Sequence, residues 1–205
     1  KSTQIDILSK YFQSKGKRTR IVWARGGYTP GFELLKRILR KFTSSIPEPG
    51  PSKDREHKLD NTFIRFIWLR IAILDLVFLW SIYIRVMEAL GVVVICDRYF
   101  QDTLLDFRKN FKSSKIEDSL FWKFLVFTIP KPSKSFLLLV PVETSVLRSQ
   151  EKNEPFPDNE ATLSWRLASY KDKNIFSSKD YITVDCEKSV GEISERIQDI
   201  FKSKI

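Results

Sequence analysis

The sequence has few of the residues that most metal sites and covalent-catalysis sites need. It contains two cysteines, Cys96 and Cys186, and one histidine, His57. Two cysteines are too few for a disulfide scaffold, and they show no metal-ligand spacing. A histidine-based zinc site and a Ser-His-Asp triad are therefore not expected. A reducing cytoplasm is the simplest location for such a chain, and no signal peptide opens it.

Long uninterrupted apolar runs are also missing. The most apolar region, 63–96, is interrupted by charged residues, namely Arg65, Arg70, Asp75, Arg85 and Glu88. No run approaches the roughly 20 apolar residues that a membrane span requires, so no transmembrane segment is predicted. A peripheral amphipathic contact with a membrane stays open.

The chain does have a large excess of positive charge. Lys and Arg number 35 against 25 Asp and Glu, which gives a net charge of +10. These residues are spread along the chain and form no basic tail, which favours small phosphates over nucleic acid as partners. A length of 205 residues, 42% of them hydrophobic, suits one α/β domain.

Apolar periodicity alternates between helix and strand along the chain. Val92 to Cys96 form a continuous apolar run, which is typical of a parallel strand buried on both faces. The alternation predicts a doubly wound parallel sheet with helices on both faces. Helices are predicted at 5–15, 34–42, 61–90, 103–111, 119–128, 142–150, 160–173 and after a capping box at Ser189 and Glu192, and strands at 20–23, 92–96, 135–140 and 181–184, with a loop at 43–60.

The first three residues, Lys1-Ser2-Thr3, open a predicted helix. They fit the last part of a Walker A loop, where lysine binds phosphates and the hydroxyl binds Mg²⁺. A chance basic segment is the alternative. None of the seven glycines stands in the G-x-x-x-x-G-K-[ST] pattern, so we expect a strand and a Gly-rich loop before Lys1.

Asp97-Arg98-Tyr99 follows the apolar strand directly. Functional residues collect at the carboxyl ends of strands in such sheets. Asp97 would hold Mg²⁺ or its water shell, and Arg98 would bind a phosphate through two N–H groups. A structural ion pair at the strand end is the alternative interpretation.

Two further segments are candidates for ligand contact. Arg25-Gly26-Gly27 follows the first predicted strand, and its glycines allow close backbone approach to a ligand. The polar segment 149–159, between Arg148 and Arg166, would form a lid that supplies arginines to the transferring phosphoryl group. An ordinary turn and an ordinary solvated loop are the alternatives.

Four motifs in this order resemble those of the thymidylate kinase family and span nearly the whole chain. Lys1-Ser2-Thr3 matches the end of the family's P-loop, and Arg25-Gly26-Gly27 with Pro30-Gly31 resembles its T-R-E-P-G-G-T turn. Asp97-Arg98-Tyr99 matches its D-R-[YH] signature, and Leu137 to Arg148 resembles its D-V-x-P-E-x-A-x-x-R helix entry. The resemblance implies a P-loop kinase that uses ATP and Mg²⁺ to phosphorylate a nucleoside monophosphate. The acceptor that it implies is dTMP, which would become dTDP.

The resemblance also implies roles for single residues. Tyr99 would lie near the acceptor sugar, and Phe107 stands in the segment where the family has a base-contacting glutamine. Apart from the resemblance, the aromatic stretch between Phe66 and Tyr83 is expected to form core and a homodimer face, because helix pairs commonly bury such stripes. The implied set is Lys1, Asp97, Arg98 and Arg148 in catalysis; Lys1, Ser2, Thr3 and Arg148 toward ATP; Arg25, Arg98, Tyr99 and Phe107 toward the acceptor; and Ser2 and Asp97 toward Mg²⁺.

The base-reading positions differ from the family pattern. Leu105-Asp106-Phe107 stands where the family has A-Y-Q, and Leu76 stands at the place of an arginine that reads thymine. Two alternatives therefore stay open: a P-loop kinase of another small phosphorylated acceptor, and a non-catalytic nucleotide-binding or interaction protein that uses the aromatic stretch.

Overall fold

The computed structural model describes residues 2–24, 29, 37, 62–111, 115–151 and 158–202. The predicted helix at 34–42, apart from residue 37, and the predicted loop at 43–60 lie outside these residues. Most of the predicted lid lies outside them as well.

The described residues form an α/β structure, which confirms the fold class at that level. The strands are β1 (Arg18–Trp23), β2 (Val92–Asp97), β3 (Phe136–Leu139) and β4 (Ile182–Asp185). The helices are α1 (Ser2–Ser14), α2 (Thr62–Leu76), α3 (Ile84–Ala89), α4 (Phe100–Asn110), α5 (Leu120–Thr128), α6 (Val142–Glu151), α7 (Glu160–Lys171) and α8 (Val190–Lys202), with a π-helix at Val77–Tyr83 and a 3₁₀ turn at Ile116–Asp118.

Local stop and start signals in the sequence explain several of these bounds. Gly16 and Gly91 have φ of 73° and 71° and end α1 and α3, because glycine adopts this left-handed conformation without strain. At the start of α8 the backbone N–H of Glu192 donates to Ser189 Oγ at 3.3 Å. Ser189 N–H donates in return to Glu192 Oε2 at 3.0 Å, so the predicted capping box is confirmed.

The sheet is smaller than predicted. Among the described residues the strands form two two-stranded sheets, β1 with β2 and β3 with β4. β3 and β4 are parallel, with Phe136 opposite Ile182 and Leu139 opposite Asp185. β2 is half-buried along its length, not buried on both faces as its apolar run predicts.

The chain folds into two compact units, and the first comprises 1–22, 91–97 and 131–205. The core of unit 1 is built on Val184, Ile193 and Ile197, which are at most 5% exposed. Its helix α1 packs against α8 through the rings of Phe12 and Phe201. The strongly amphipathic pattern of α8 explains this arrangement, since its apolar face covers β3 and β4.

Unit 2 comprises 23–90 and 98–130. Its main element, called the long helix below, is the continuous helical run of α2, the π-helix and α3. α5 packs against the long helix, and Ser81 Oγ lies 2.8 Å from Thr128 Oγ1. By length and composition the stretch Phe66–Ala89 could cross a membrane, although core helices of soluble proteins satisfy the same criterion.

Candidate functional site

The backbone at the end of β2 is strained at one residue. Asp97 is the last residue of β2, and Arg98 follows it with φ of 79°. Arg98 is the one non-glycine with positive φ among the residues that the structure describes. A left-handed conformation costs an ordinary residue about 1–2 kcal/mol, and such strain clusters at functional sites. The strain therefore marks the D-R-Y motif as a position where side-chain placement matters.

The guanidinium of Arg98 contacts two carboxylates through one nitrogen. Its Nη1 is 3.9 Å from Asp102 Oδ1 and 3.9 Å from Asp106 Oδ2. These separations are ionic contacts that are too long for hydrogen bonds. Nη1 is buried and has no hydrogen-bond acceptor among the described residues. The ion pair predicted as the alternative is thus present, yet it leaves N–H capacity that an oxyanion would satisfy.

The hydroxyl and the ring of Tyr99 each contact another residue of unit 2. Its hydroxyl donates to the carbonyl oxygen of Pro130 at 2.7 Å, and its ring lies 5.0 Å from that of Trp80. Trp80 is fully buried in the π-helix. Tyr99 is therefore positioned by the π-helix and by the segment after α5, and its predicted contact with an acceptor sugar stays a prediction.

The positions expected to read a base belong to the core of unit 2. Leu76 and Leu105 are 0% exposed and Phe107 is 2% exposed. Phe107 contacts the rings of Phe111 and Trp122 with centroid separations of 6.0 and 6.1 Å. Direct acceptor contact by Phe107, which the family resemblance suggested, would require opening this aromatic cluster.

Within the glycine-containing turn at 25–31, the structure describes only Thr29. Arg25 and its neighbouring glycines lie outside the described residues. Thr29 is 1% exposed, and its hydroxyl donates to the carboxylate of Asp75 on α2. This bond attaches the segment that carries the predicted acceptor-binding turn to the long helix.

The predicted Mg²⁺ ligands both lie in unit 1. Ser2 is the first residue of α1, Ser2 and Thr3 are exposed, and α1 packs against β2, which ends in Asp97. Lys1 lies outside the described residues. A hydroxyl and a carboxylate are hard oxygen ligands that fit Mg²⁺. No cluster of three His, Cys, Asp or Glu side chains that could hold a metal ion occurs among the described residues.

Arg148 connects α6 to the end of β4. Its Nη2 donates to the carbonyl oxygen of Cys186 at 3.1 Å. Burial raises the pKa of the Cys186 thiol, which therefore stays neutral at pH 7. Arg148 precedes the predicted lid in the chain, and in this structure its guanidinium is hydrogen-bonded at the end of β4.

An open cleft of about 390 Å³, which the sequence did not predict, lies at the carboxyl ends of β3 and β4. Its charged lining residues are Lys171, Glu143, Asp185 and Glu187. Parallel sheets bind ligands outside the carboxyl ends of their strands, so the cleft is in the expected place. The strand end at Asp185 was readable in the sequence, whereas the approach of Lys171 depends on how α7 packs against α6.

The described ends of the lid are anchored locally. Arg166 is 5% exposed, and its Nε donates to Asp158 Oδ2 at 3.0 Å. Asn159 caps α7 by accepting the backbone N–H of Thr162 at 2.9 Å. Arg166 is thus part of the fold at the base of the predicted lid.

Comparison of the chain with protein-family models and with curated proteins finds no match.

Proposed function

We propose that this protein is a P-loop kinase that transfers the γ-phosphoryl group of ATP to a nucleoside monophosphate, most simply dTMP to dTDP. The observation that carries the proposal is Arg98, strained at the carboxyl end of β2, with a side chain that is 23% exposed and contacts its carboxylate partners only at 3.9 Å. A phosphate oxygen is the acceptor that the exposed part of such a guanidinium binds best.

The proposed mechanism relies on positioning and charge neutralisation. Arg98 would bind the acceptor phosphate, and Asp102 and Asp106 would hold its guanidinium in place from 3.9 Å. Lys1 and Thr3 at the start of α1 would bind the ATP phosphates. Mg²⁺, held by Ser2 and Asp97, would neutralise charge on the phosphoryl group in flight.

The proposed site also includes residues outside the described ranges. Arg25 would contact the acceptor phosphate, and the lid would exclude water from ATP. Arg148 supports this arrangement because it fixes α6, which leads into the lid, to the end of β4. Cytoplasmic location and a single P-loop domain are parts of the same proposal.

A different acceptor is the second candidate, and one observation favours it. The base-reading positions Leu76, Leu105 and Phe107 are apolar and at most 2% exposed. Buried apolar side chains offer no hydrogen bonds to a base edge, and base selection requires such bonds. A small phosphorylated acceptor without a base would place no demand on these positions.

ADP release in the presence of Mg-ATP tests both candidates. The full-length protein is incubated with dTMP, dUMP, dCMP or phosphosugars, and Asp97→Ala is the inactive control. ADP formed with dTMP and absent in the variant supports thymidylate kinase activity. Turnover only with a phosphosugar supports the second candidate. ATP binding without any turnover would instead make the protein a non-catalytic nucleotide-binding protein.

The homodimer expected from the sequence also stays a prediction. Light scattering of the full-length protein over a range of concentrations measures its mass directly.

A further inference from the structure

Unit 2 exposes a row of apolar side chains. Every fourth position from 66 to 90, along the long helix and its C-cap residue Leu90, is apolar except one, Arg70, and the apolar members are between 47% and 64% exposed. We call this set the apolar stripe: Phe66, Leu74, Phe78, Ile82, Val86 and Leu90.

The π-helix reduces the turning of the stripe around the helix axis. In an α-helix a four-residue repeat drifts by about 40° per step, because one turn takes 3.6 residues. The i→i+5 turns of a π-helix are wider, so each residue rotates less and the drift reverses there. The π-helix spans Val77–Tyr83, in the middle of the stripe. The stripe therefore turns little between Leu74 and Leu90, whereas Phe66, two α-helical steps before Leu74, is rotated by about 80°.

α5, which packs against the long helix, exposes further apolar side chains. Leu120, Phe124, Val126 and Phe127 are 79%, 52%, 40% and 87% exposed. Arg85, which directly precedes the stripe residue Val86, donates from Nη2 to the carbonyl oxygen of Thr128 at 2.9 Å, so the end of α5 adjoins the stripe. The stripe and these four residues are called the apolar face below.

The apolar face is larger than that of an ordinary monomer. Since a large apolar side chain presents about 150–250 Å², its ten half-exposed members offer on the order of 1,000 Å². The largest patch on a typical monomer covers roughly 300–600 Å² and is often functional. In addition, 33% of the most apolar window of Phe66–Ala89 is buried, whereas the core helix of a soluble protein is mostly buried.

We propose that the apolar face docks on the surface of an anionic lipid bilayer, with the long helix and α5 lying in the interface. Two observations favour lipid as the occupant. The net charge of +10 attracts the chain to anionic headgroups. The one polar side chain in this row is Arg70, whose guanidinium lies 2.9 Å from the centroid of the Phe66 ring and 5.2 Å from that of Phe121. The other side chains of the row are apolar, as an interfacial helix face requires.

The packing of the long helix favours lying on the bilayer over crossing it. Its opposite side carries Ile73, Leu76, Trp80 and Ile84, which are at most 3% exposed because they pack inside unit 2. Crossing the bilayer would separate these side chains from the core. It would also break the bonds of Ser81 and Arg85 to Thr128.

Co-sedimentation of the full-length protein with phosphatidylcholine vesicles, with and without phosphatidylserine, tests the proposal. We expect binding to the anionic vesicles that weakens as salt is added. The double variant Phe78→Gln/Phe127→Gln should lower the partition coefficient by about tenfold or more, because two exposed phenyl groups no longer enter lipid. The matched control is Leu147→Gln/Val190→Gln, which changes two exposed apolar residues of unit 1 that are 59% and 51% exposed.

Thermal unfolding monitored by circular dichroism checks that the variants fold. If the double variant does not fold, Phe127→Gln alone replaces it, because the Phe127 side chain is 87% exposed. Wild-type protein that stays in solution with anionic vesicles at low salt overturns the proposal, as does equal binding by the double variant. A dimer that dissociates in the double variant, with no vesicle binding, would assign the apolar face to a second copy of the chain. The proposal is independent of kinase activity, so a negative kinase assay leaves it standing.

Discussion

At the scale of single residues, Arg98 combines a strained backbone with an incompletely satisfied side chain. The place of the triplet D-R-Y after an apolar strand made it a candidate functional position. The triplet contains no signal for positive φ, because the surrounding packing sets that angle. The triplet also does not show that Asp102 and Asp106 both contact the guanidinium. Their four-residue spacing does place them on the same face of a helix.

The strain at Arg98 predicts an inverted order of stability. Arg98→Gly and Arg98→Ala both remove the guanidinium, but only glycine accepts φ of 79° without strain. Arg98→Gly should therefore be more stable than Arg98→Ala by about 1–2 kcal/mol. Urea unfolding of the two variants measures the difference.

The same pair of substitutions at Arg196 provides the control. Arg196 is exposed in the middle of α8, where alanine should be more stable than glycine by about 1 kcal/mol. If Arg98→Ala proved the more stable variant of its pair, the positive φ of Arg98 would not be maintained in solution.

At the scale of elements, residues with strong local signals were predicted well. Gly16, Gly91 and the pair Ser189 and Glu192 identified helix ends directly, because their effects act within one turn of the chain. The π-helix at Val77–Tyr83 was not predicted, since its apolar sequence has the composition of an ordinary helix. The pairing of β1 with β2 and of β3 with β4 depends on distant segments, and sequence periodicity does not encode it.

The capping box predicts a pH-dependent contribution to stability. Hydrogen bonds from the side chain and backbone of Ser189 lower the pKa of Glu192. A lowered pKa in the folded state means that this contribution is complete above the unfolded pKa, and is lost as pH falls through the folded pKa. The difference in free energy of unfolding between wild type and Glu192→Gln should thus shrink from pH 7 toward acid.

Ser189→Ala tests the same cap at constant pH. Loss of the cap should lower the free energy of unfolding by about 1 kcal/mol. The matched serine control is Ser164→Ala, because Ser164 is exposed inside α7 and far from either end of that helix. A pH-independent effect of Glu192→Gln would mean that the carboxylate is not bound to Ser189 in solution.

At the scale of the whole molecule, the proposed function predicts that ligand binding stabilises the fold. Mg-ATP at 100 times its dissociation constant should add about 2.7 kcal/mol to the free energy of unfolding. For a chain of this size that corresponds to a rise in Tm of roughly 5–10 °C. Asp97→Ala should reduce the rise if Asp97 holds Mg²⁺. An equal rise with ATP and EDTA would contradict a role for the metal.

The π-helix also predicts where the long helix tolerates the loss of one residue. Each i→i+5 turn accommodates one residue more than an α-helical turn, so removing one residue between Val77 and Tyr83 would convert the wide turn into an α-helical one. Residues after this deletion would keep nearly the same direction relative to α2, because only the extra residue of the wide turn is lost. A one-residue deletion within α2 has no wide turn to absorb it and would rotate all later residues by about 100°. Ile84 would then move away from the core and Arg85 would lose its place beside Thr128, so the deletion in α2 should disrupt the fold and the deletion in the π-helix should be tolerated.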